Sequence, residues 1–258
     1  MCVCVVASMS LVACAGRSTT TTPTAVPSTR AATRTPLDDA RQLVVVTTPD
    51  WNATNGTLRR YTRVTAGDAW RAVDDAATPV VVGRTGLAWG TGFDADASDS
   101  APHKHEGDGR SPAGAFPLDT VFGFAPTSDA SWVRLPYVQL SPTSDCVDDT
   151  ASVHYNTVVD RAMTSVVDWN SAEHMRSIRQ YEMGVIVGYN ATPPRRGRGS
   201  CIFLHIWNGP ASTTAGCTAF DAGVLRRVIA WLDPRQRPML VQLPAAAYAG
   251  LRETWSLP

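Results

Sequence analysis

The sequence predicts a mainly β domain, built as a sandwich or a barrel, with a few short helices. Three observations lead to this prediction. Short runs rich in Val, Ile, Thr and aromatic residues recur between turns rich in Gly, Pro and Asp. Only two segments carry the signals of a helix. With 258 residues, 44% of them hydrophobic and 18% charged, the chain can bury a core of its own.

The overall charge excludes one class of partner. The 23 basic and 23 acidic residues cancel to a formal net charge of zero. Proteins that bind nucleic acid through its phosphates carry a basic face, so we expect no nucleic-acid partner.

The first fourteen residues, MCVCVVASMSLVAC, form an apolar run shorter than the about 20 residues that span a bilayer. Such a run is typical of an export signal. Residues 11–14 resemble a bacterial lipobox, so we expect residues 1–13 to be a lipoprotein signal and Cys14 to receive a lipid. No Lys or Arg precedes the run, which leaves an ordinary secretory signal as the alternative. We therefore expect an exported protein that faces the cell wall and touches the membrane only through its N-terminal lipid.

Residues 14–40 read as a linker rich in Thr, Ser and Pro. Eight Thr and three Pro fall between residues 17 and 36, with little apolar surface to bury. The folded domain is predicted to span residues 41–258. Its clearest strands are predicted at Leu43 to Thr47, Leu58 to Val64, Val80 to Val82, Val185 to Val187, Ile202 to Trp207 and Met239 to Leu243.

The first helix is predicted from Ser171 to Met183. Asn170 would be its N-cap, Glu173 would reach back as the partner of a capping box, and Gly184 would end it.

The second helix has a regular apolar stripe. Leu225, Val228, Ile229 and Leu232 follow the spacing i, i+3, i+4, i+7, and the Asp-Pro pair at 233–234 ends the helix.

Three cysteines remain in the domain once Cys2 and Cys4 leave with the signal and Cys14 is lipidated. An odd number in an oxidising compartment indicates one disulfide and one free thiol. The remaining three are Cys146, Cys201 and Cys217.

Cys217 is the predicted free thiol, because it follows Gly216 in a turn of small residues that leads toward the second helix. A helix N-terminus would favour the thiolate, and its N–H groups could stabilise an oxyanion. Cys217 is thus the candidate nucleophile, and Cys146 and Cys201 pair by elimination.

His205 is the candidate base. Strand alternation places Ile202, Leu204 and Ile206 on one face and His205 on the other, twelve residues before Cys217. A thiolate–imidazolium pair is the form expected for such a nucleophile. The alternative is a core histidine bonded to the backbone.

These residues resemble the signature of the L,D-transpeptidase family (YkuD-type), in the branch related to the ErfK/YbiS group. Four pieces in the same order as in the family, between about residues 80 and 220, carry the resemblance: Gly107 to Leu118, Cys146 to Asp149 with Tyr155 and Asn156, Val187 to Asn190, and His205 to Cys217.

The resemblance implies a β-sandwich-like catalytic domain that acts on peptidoglycan stem peptides without a metal or other cofactor. Cys217 would attack the carbonyl of a tetrapeptide stem, with His205 as its base, and pass the acyl group to an amine of a neighbouring stem. Backbone donors of Gly216 and Cys217 would hold the oxyanion, and Thr214 or Thr218 would orient the substrate.

The chain also departs from the family. Ala215 stands where many members have a histidine beside the glycine, and Thr218 and Ala219 replace the residues after the cysteine, including an arginine. Water could resolve the same acyl-enzyme, so an L,D-carboxypeptidase or wall amidase is the first alternative. A wall-binding lipoprotein without catalysis is the second.

Two further groups of polar residues are weaker candidates for a functional site. His103, His105, Glu106 and Asp108 could ligate a metal, but their spacing matches no zinc pattern, so we expect no metal. The Asp pair at 148–149 is predicted to form a loop turn rather than an acid/base pair.

Overall fold

The computed structural model describes residues 1–3, 35–91 and 100–258. Residues 4–13 of the expected export signal, Cys14 and the linker as far as residue 34 lie outside these residues. No helix in the described ranges is long and apolar enough to cross a membrane.

The described residues form fourteen strands: Gln42–Thr48 (β1), Asn55–Thr62 (β2), Arg71–Ala72 (β3), Thr78–Val81 (β4), Leu87–Trp89 (β5), Ser111–Gly123 (β6), Tyr137–Gln139 (β7), Ser144–Val147 (β8), Val158–Asp160 (β9), Ala172–His174 (β10), Met183–Val187 (β11), Phe203–Ile206 (β12), Thr218–Phe220 (β13) and Met239–Pro244 (β14). They also form two α-helices, Ala222–Trp231 (α1) and Ala245–Leu251 (α2). Five 3-10 turns complete the elements: Thr127–Ala130, Arg161–Met163, Met175–Ser177, Arg179–Tyr181 and Pro234–Gln236.

Eight strands close into a barrel, in the order β1, β14, β6, β11, β12, β13, β4, β2 and back to β1. The β1–β14 and β12–β13 pairs are parallel, and the other neighbours are antiparallel. The mainly β prediction is therefore confirmed. The two facing sheets of a sandwich are not confirmed, because the main sheet closes on itself. A separate sheet of β10, β8 and β9 lies outside the barrel.

The domain begins earlier than the predicted residue 41. Leu37 and Ala40 are buried and belong to the main apolar core. The buried Arg63 guanidinium donates hydrogen bonds to the backbone oxygens of both residues. The last residues assigned to the linker are thus part of the fold.

All six predicted strands overlap observed ones, and the alternation of β12 is confirmed. Ile202 and Leu204 pack in the main core, whereas Cys201 and Phe203 pack in a second apolar cluster, which also contains Cys217. We call this second set the thiol cluster. Its buried residues are Phe122, Leu140, Cys146, Met175, Tyr181, Cys201, Phe203 and Cys217.

The second predicted helix is confirmed as α1. Leu225, Val228 and Ile229 are its buried residues, and the Asp221 carboxylate caps it by accepting from the N–H groups of Gly223 and Val224.

The first predicted helix is wrong. Residues 172–174 form β10 and pair with β8, two 3-10 turns follow, and β11 begins at Met183. The capping box does not form, because the N–H of Asn170 donates to Asp149 and the Glu173 carboxylate turns to Tyr181. Gly184 lies inside β11, where a Cβ would come within 2.3 Å of the Phe122 ring. The glycine makes room for that ring and does not end a helix.

Candidate active site

Cys217 lies immediately before β13, beside the parallel strand β12. The register pairs Leu204 with Thr218 and His205 with Ala219. Because paired residues of parallel strands face the same way, Cys217 shares a face with Phe203 and His205. The strand pair brings the candidate nucleophile and the candidate base to one side of the sheet.

The predicted cysteine pairing is present. Cys146 and Cys201 form a disulfide, and Cys217 is free and buried. The Cys217 thiol donates to the carbonyl oxygen of Cys201, and its sulfur accepts from the N–H of Phe203, each at 3.3 Å. The disulfide thus fixes the strand against which the thiol rests.

The turn before Cys217 is held by hydroxyl groups. Ser111 and Thr214 both donate to the carbonyl oxygen of Cys217, at 2.8 and 2.6 Å. The N–H of Gly216 donates to the Thr214 hydroxyl at 3.2 Å. The Thr214 hydroxyl and the N–H of Gly216 are therefore both engaged within the turn, where they position Cys217.

Thr218 is placed on the other face of the sheet. Its buried hydroxyl donates to the side-chain oxygen of Gln242 at 2.6 Å. Thr218 does not border the cavity next to Cys217, so its hydroxyl is not positioned to orient a substrate there.

The expected helix N-terminus is not at the cysteine. Strand β13 separates Cys217 from α1, and Asp221 occupies the first free N–H groups of that helix. The prediction that α1 activates the thiol or supplies the oxyanion hole is wrong. The small residues before Cys217 lead into a buried strand instead.

The thiol is not activated in this conformation. Burial first, and then the charge of Glu173, raise the pKa of the Cys217 thiol well above its usual range. The expected resting thiolate is therefore disfavoured at neutral pH.

His205 is buried and neutral at pH 7. Its Nδ1 donates to the carbonyl oxygen of Ile206 at 2.8 Å, and burial lowers its pKa to about 4. Its ring lies edge-on to that of Tyr181, with the centroids 5.2 Å apart. No hydrogen bond joins His205 to Cys217 in the described part of the chain.

A cavity of about 170 Å³ opens beside Cys217. Gly216 and the disulfide residue Cys201 form part of its wall, with the basic side chains of Arg84 and Lys104. Three carboxylates from separate parts of the chain also line it: Glu106, Asp148 and Glu173.

These three carboxylates differ in their partners. Glu106 accepts from the hydroxyls of Tyr155 and Ser200. Glu173 accepts from the hydroxyl of Tyr181 at 2.6 Å. Among the described residues, one buried oxygen of Asp148, Oδ1, has no hydrogen-bond partner.

Burial raises the pKa of Glu173 to about 7, and the neighbouring charges of Asp148 and Glu106 act in the same direction. The carboxyl is therefore half-protonated near neutral pH. Such groups are frequent in active sites, where a proton must be exchanged near pH 7.

The sequence did not single out these carboxylates as site residues. Glu106 stood only in a weak metal motif, Asp148 in a loop turn and Glu173 in a capping box. In the described ranges, no three or more His, Cys, Asp or Glu side chains are arranged so that they could hold a metal ion. Asp108 instead forms a buried ion pair with Lys104, at 2.6 Å.

No protein-family model matches the chain, and no curated protein or solved structure matches it.

Proposed function

We propose that the barrel domain is an L,D-transpeptidase-like catalytic domain that joins peptidoglycan stem peptides through an acyl-enzyme at Cys217. The observation that carries the proposal is the free thiol of Cys217 at the wall of a small polar cavity. The sequence motifs around Cys217 and His205 support it. In this reading the domain is an exported acyltransferase that contributes to the cell wall and needs no cofactor.

In the proposed reaction the Cys217 sulfur attacks the carbonyl carbon of the L-centre residue in a tetrapeptide stem. The terminal D-alanine leaves, and a thioester remains on the enzyme. An amine of a second stem then attacks the thioester and releases the thiol. The thiol proton must pass to a base near the sulfur and from it to the nitrogen of the departing D-alanine. His205 and Glu173 both contact Tyr181 of the thiol cluster.

The charge of the cavity supports an amine as the acceptor. Glu106, Asp148 and Glu173 outnumber the basic side chains of Arg84 and Lys104, and Lys104 is already paired with Asp108. A negative surface attracts an ammonium group and can take up the proton that it loses on attack. Transfer to an amine is therefore favoured over hydrolysis.

The buried thiol is the observation that favours the non-catalytic alternative. A wall-binding lipoprotein would have no need to ionise Cys217, and a thiol with a raised pKa is inert. For catalysis, substrate binding must open the cavity toward the sulfur or supply the charge that stabilises the thiolate.

The test is incubation of the protein with purified disaccharide-tetrapeptides, followed by mass spectrometry of the products. We expect cross-linked dimers with the natural chain and none with the Cys217→Ala variant. Tripeptides without dimers would assign the site to the L,D-carboxypeptidase alternative. Unchanged muropeptides in both samples would contradict the proposal and favour the binding protein.

A disulfide in the fold is consistent with export, because such bonds persist in oxidising compartments. We propose that the protein is anchored through Cys14, with the secreted form as the alternative. Labelling with radioactive palmitate that is lost in a Cys14→Ala variant would support the anchor.

A further inference from the structure

Three arginines stand together in the loop between β11 and β12. Arg195, Arg196 and Arg198 are all exposed, and within the described ranges none of them pairs with a carboxylate. Arg196 donates one hydrogen bond, to the carbonyl oxygen of Thr150 at 2.6 Å. In a chain of zero net charge this loop is a local concentration of positive charge. We call the three side chains the arginine rim.

The backbone of this loop is held in place by buried side chains. The amide group of Asn190 donates to the carbonyl oxygens of Arg195 and Gly199, at 3.0 and 2.9 Å, and its oxygen accepts from the N–H of Arg195 at 2.8 Å. The Tyr189 hydroxyl donates to the carbonyl oxygen of Arg198. The loop is therefore ordered before a ligand arrives, which lowers the entropy cost of binding.

The arginine rim lies beside the cavity that contains Cys217. The N–H of Glu106 donates to the carbonyl oxygen of Gly197 at 2.9 Å. The Ser200 hydroxyl, two residues beyond Arg198, donates to the Glu106 carboxylate at 2.8 Å. Glu106 and Ser200 both line the cavity, so the rim begins where the cavity wall ends.

The cavity alone is too small for the proposed donor. Its volume of about 170 Å³ lies below the about 300 Å³ at which ligand sites usually begin. Four extended peptide residues span about 13 Å. A tetrapeptide whose reacting residue lies at Cys217 must therefore continue across the surface around the cavity.

The cavity also repels an anionic peptide. Three of its side chains are carboxylates, and Lys104, one of its two basic side chains, is already paired with Asp108. The proposed donor ends in the carboxylate of D-alanine, so it needs positive charge beyond that of the cavity. The arginine rim supplies three guanidinium groups without carboxylate partners next to the cavity wall.

We propose that the arginine rim binds carboxylates of the peptide stem whose reacting residue lies in the cavity. A guanidinium group can donate two parallel hydrogen bonds to one carboxylate, which fixes the direction as well as the position of the ligand. The rim would thus select an anionic stem and orient it toward Cys217. This inference rests on the proposed function, because it takes the stem peptide as the ligand.

The first test measures the Kd of the disaccharide-tetrapeptide by isothermal titration calorimetry, with the full chain carrying Cys217→Ala so that no turnover occurs. Adding Arg195→Gln, Arg196→Gln and Arg198→Gln should weaken binding by about tenfold or more, since each exposed ion pair contributes roughly two- to fivefold to affinity. A disaccharide-tetrapeptide with its carboxylates converted to methylamides should bind the two proteins with Kd values within about twofold of each other.

A matched control separates the rim from a general effect of charge. Arg59→Gln, Arg71→Gln and Arg252→Gln remove three exposed arginines that do not line the cavity, and they change the net charge by the same amount. These substitutions should leave the Kd unchanged. Lysine at all three rim positions should restore most of the affinity, because the positive charge returns. Damage to the fold would not be repaired in this way.

The second test measures kcat and KM in chains that keep Cys217. The three glutamine substitutions in the rim should raise KM by the same factor as the Kd and leave kcat within about twofold, because a contact outside the cavity is equally strong before and during the reaction. An increase from about 50 to about 500 mM salt should raise the KM of the natural chain more than that of the variant.

Several results would overturn the inference. Equal weakening by the rim and control substitutions would show a general charge effect. Equal weakening for the acidic and the amidated ligand would show that the loop does not recognise carboxylates. Loss of binding to inorganic polyphosphate, with unchanged binding of the peptide, would assign the rim to a phosphate polymer instead.

The same experiments separate this inference from the proposed function. Peptide binding that depends on the rim, without turnover by the natural chain, would keep the carboxylate site and remove the proposed reaction. Turnover with a KM that does not respond to the rim would keep the reaction and overturn the inference. No binding of the peptide to any of these proteins would contradict both.

Discussion

Removal of the disulfide should cost the barrel domain a large part of its stability. Cys146 and Cys201 are 55 residues apart in sequence and join β8 to the strand beside Cys217. For a closed loop of that length, the chain-entropy relation gives about 14 cal/mol/K, or about 4 kcal/mol at 25 °C. In a domain of this size, that loss corresponds to a fall in Tm of roughly 8 to 16 °C.

The variant to make is Cys146→Ala with Cys201→Ala, because it removes both sulfurs and leaves no new thiol. Urea unfolding without reductant, followed by tryptophan fluorescence, would give the free energy of unfolding. Val153→Ala is the matched control, since Val153 is exposed within the same loop, and it should leave the unfolding curve unchanged. A loss of less than about 1 kcal/mol in the double variant would refute the reasoning, because it would mean that the loop is already ordered in the unfolded chain.

Three further predictions follow from buried polar groups. Lys104→Met should lower the free energy of unfolding by about 3 to 5 kcal/mol, because it leaves Asp108 buried without its ion pair, and adding Asp108→Asn should restore most of it. Burial raises the pKa of Glu173 from 4.5 to about 7. The protonated carboxyl therefore contributes to the free energy of unfolding below pH 4.5, and this contribution is lost as the pH rises through 7. Glu173→Gln should therefore remove a decline of about 3 kcal/mol between urea titrations at pH 4.5 and pH 8, whereas an equal decline in both proteins would contradict this assignment. Ser111→Ala should cost about 1 to 3 kcal/mol in the same assay, because the buried oxygen of Ser111 accepts from the N–H of Gly83 and its hydroxyl donates to Cys217.

The sequence predicted those elements whose patterns are local. The alternation in β12 and the apolar stripe of α1 each report one buried face, and both are confirmed. The region 171–183 failed because a cap-like pattern of Asn and Glu does not show where these side chains find partners. Glu173 reaches Tyr181 eight residues away, and β10 pairs with β8.

The sequence did not decide between a sandwich and a barrel, because closure of the barrel depends on β1 pairing with both β2 and β14. The long strand β6 was missed as well, because Pro112, Gly114 and Pro117 interrupt its apolar pattern. Proline and glycine ordinarily argue against a strand interior. Pairing with strands on both sides overrides this local preference.

The candidate site was predictable in part. The count of three cysteines predicted one disulfide and one free thiol, and the small residues before Cys217 indicated that it is the free one. The carboxylates of the cavity come from positions 106, 148 and 173, which only the folded chain brings together. The burial of the thiol could not be predicted either, since the same small residues before Cys217 are compatible with an exposed turn or a buried strand.

The most direct test of the central claim is the mass of the intact protein after brief incubation with a tetrapeptide stem. If Cys217 is the nucleophile, the protein should gain the mass of the stem without its terminal D-alanine. Hydroxylamine should remove this mass, and peptide mapping should place it on Cys217. No adduct on the natural chain, or an equal adduct on Cys217→Ala, would contradict the account.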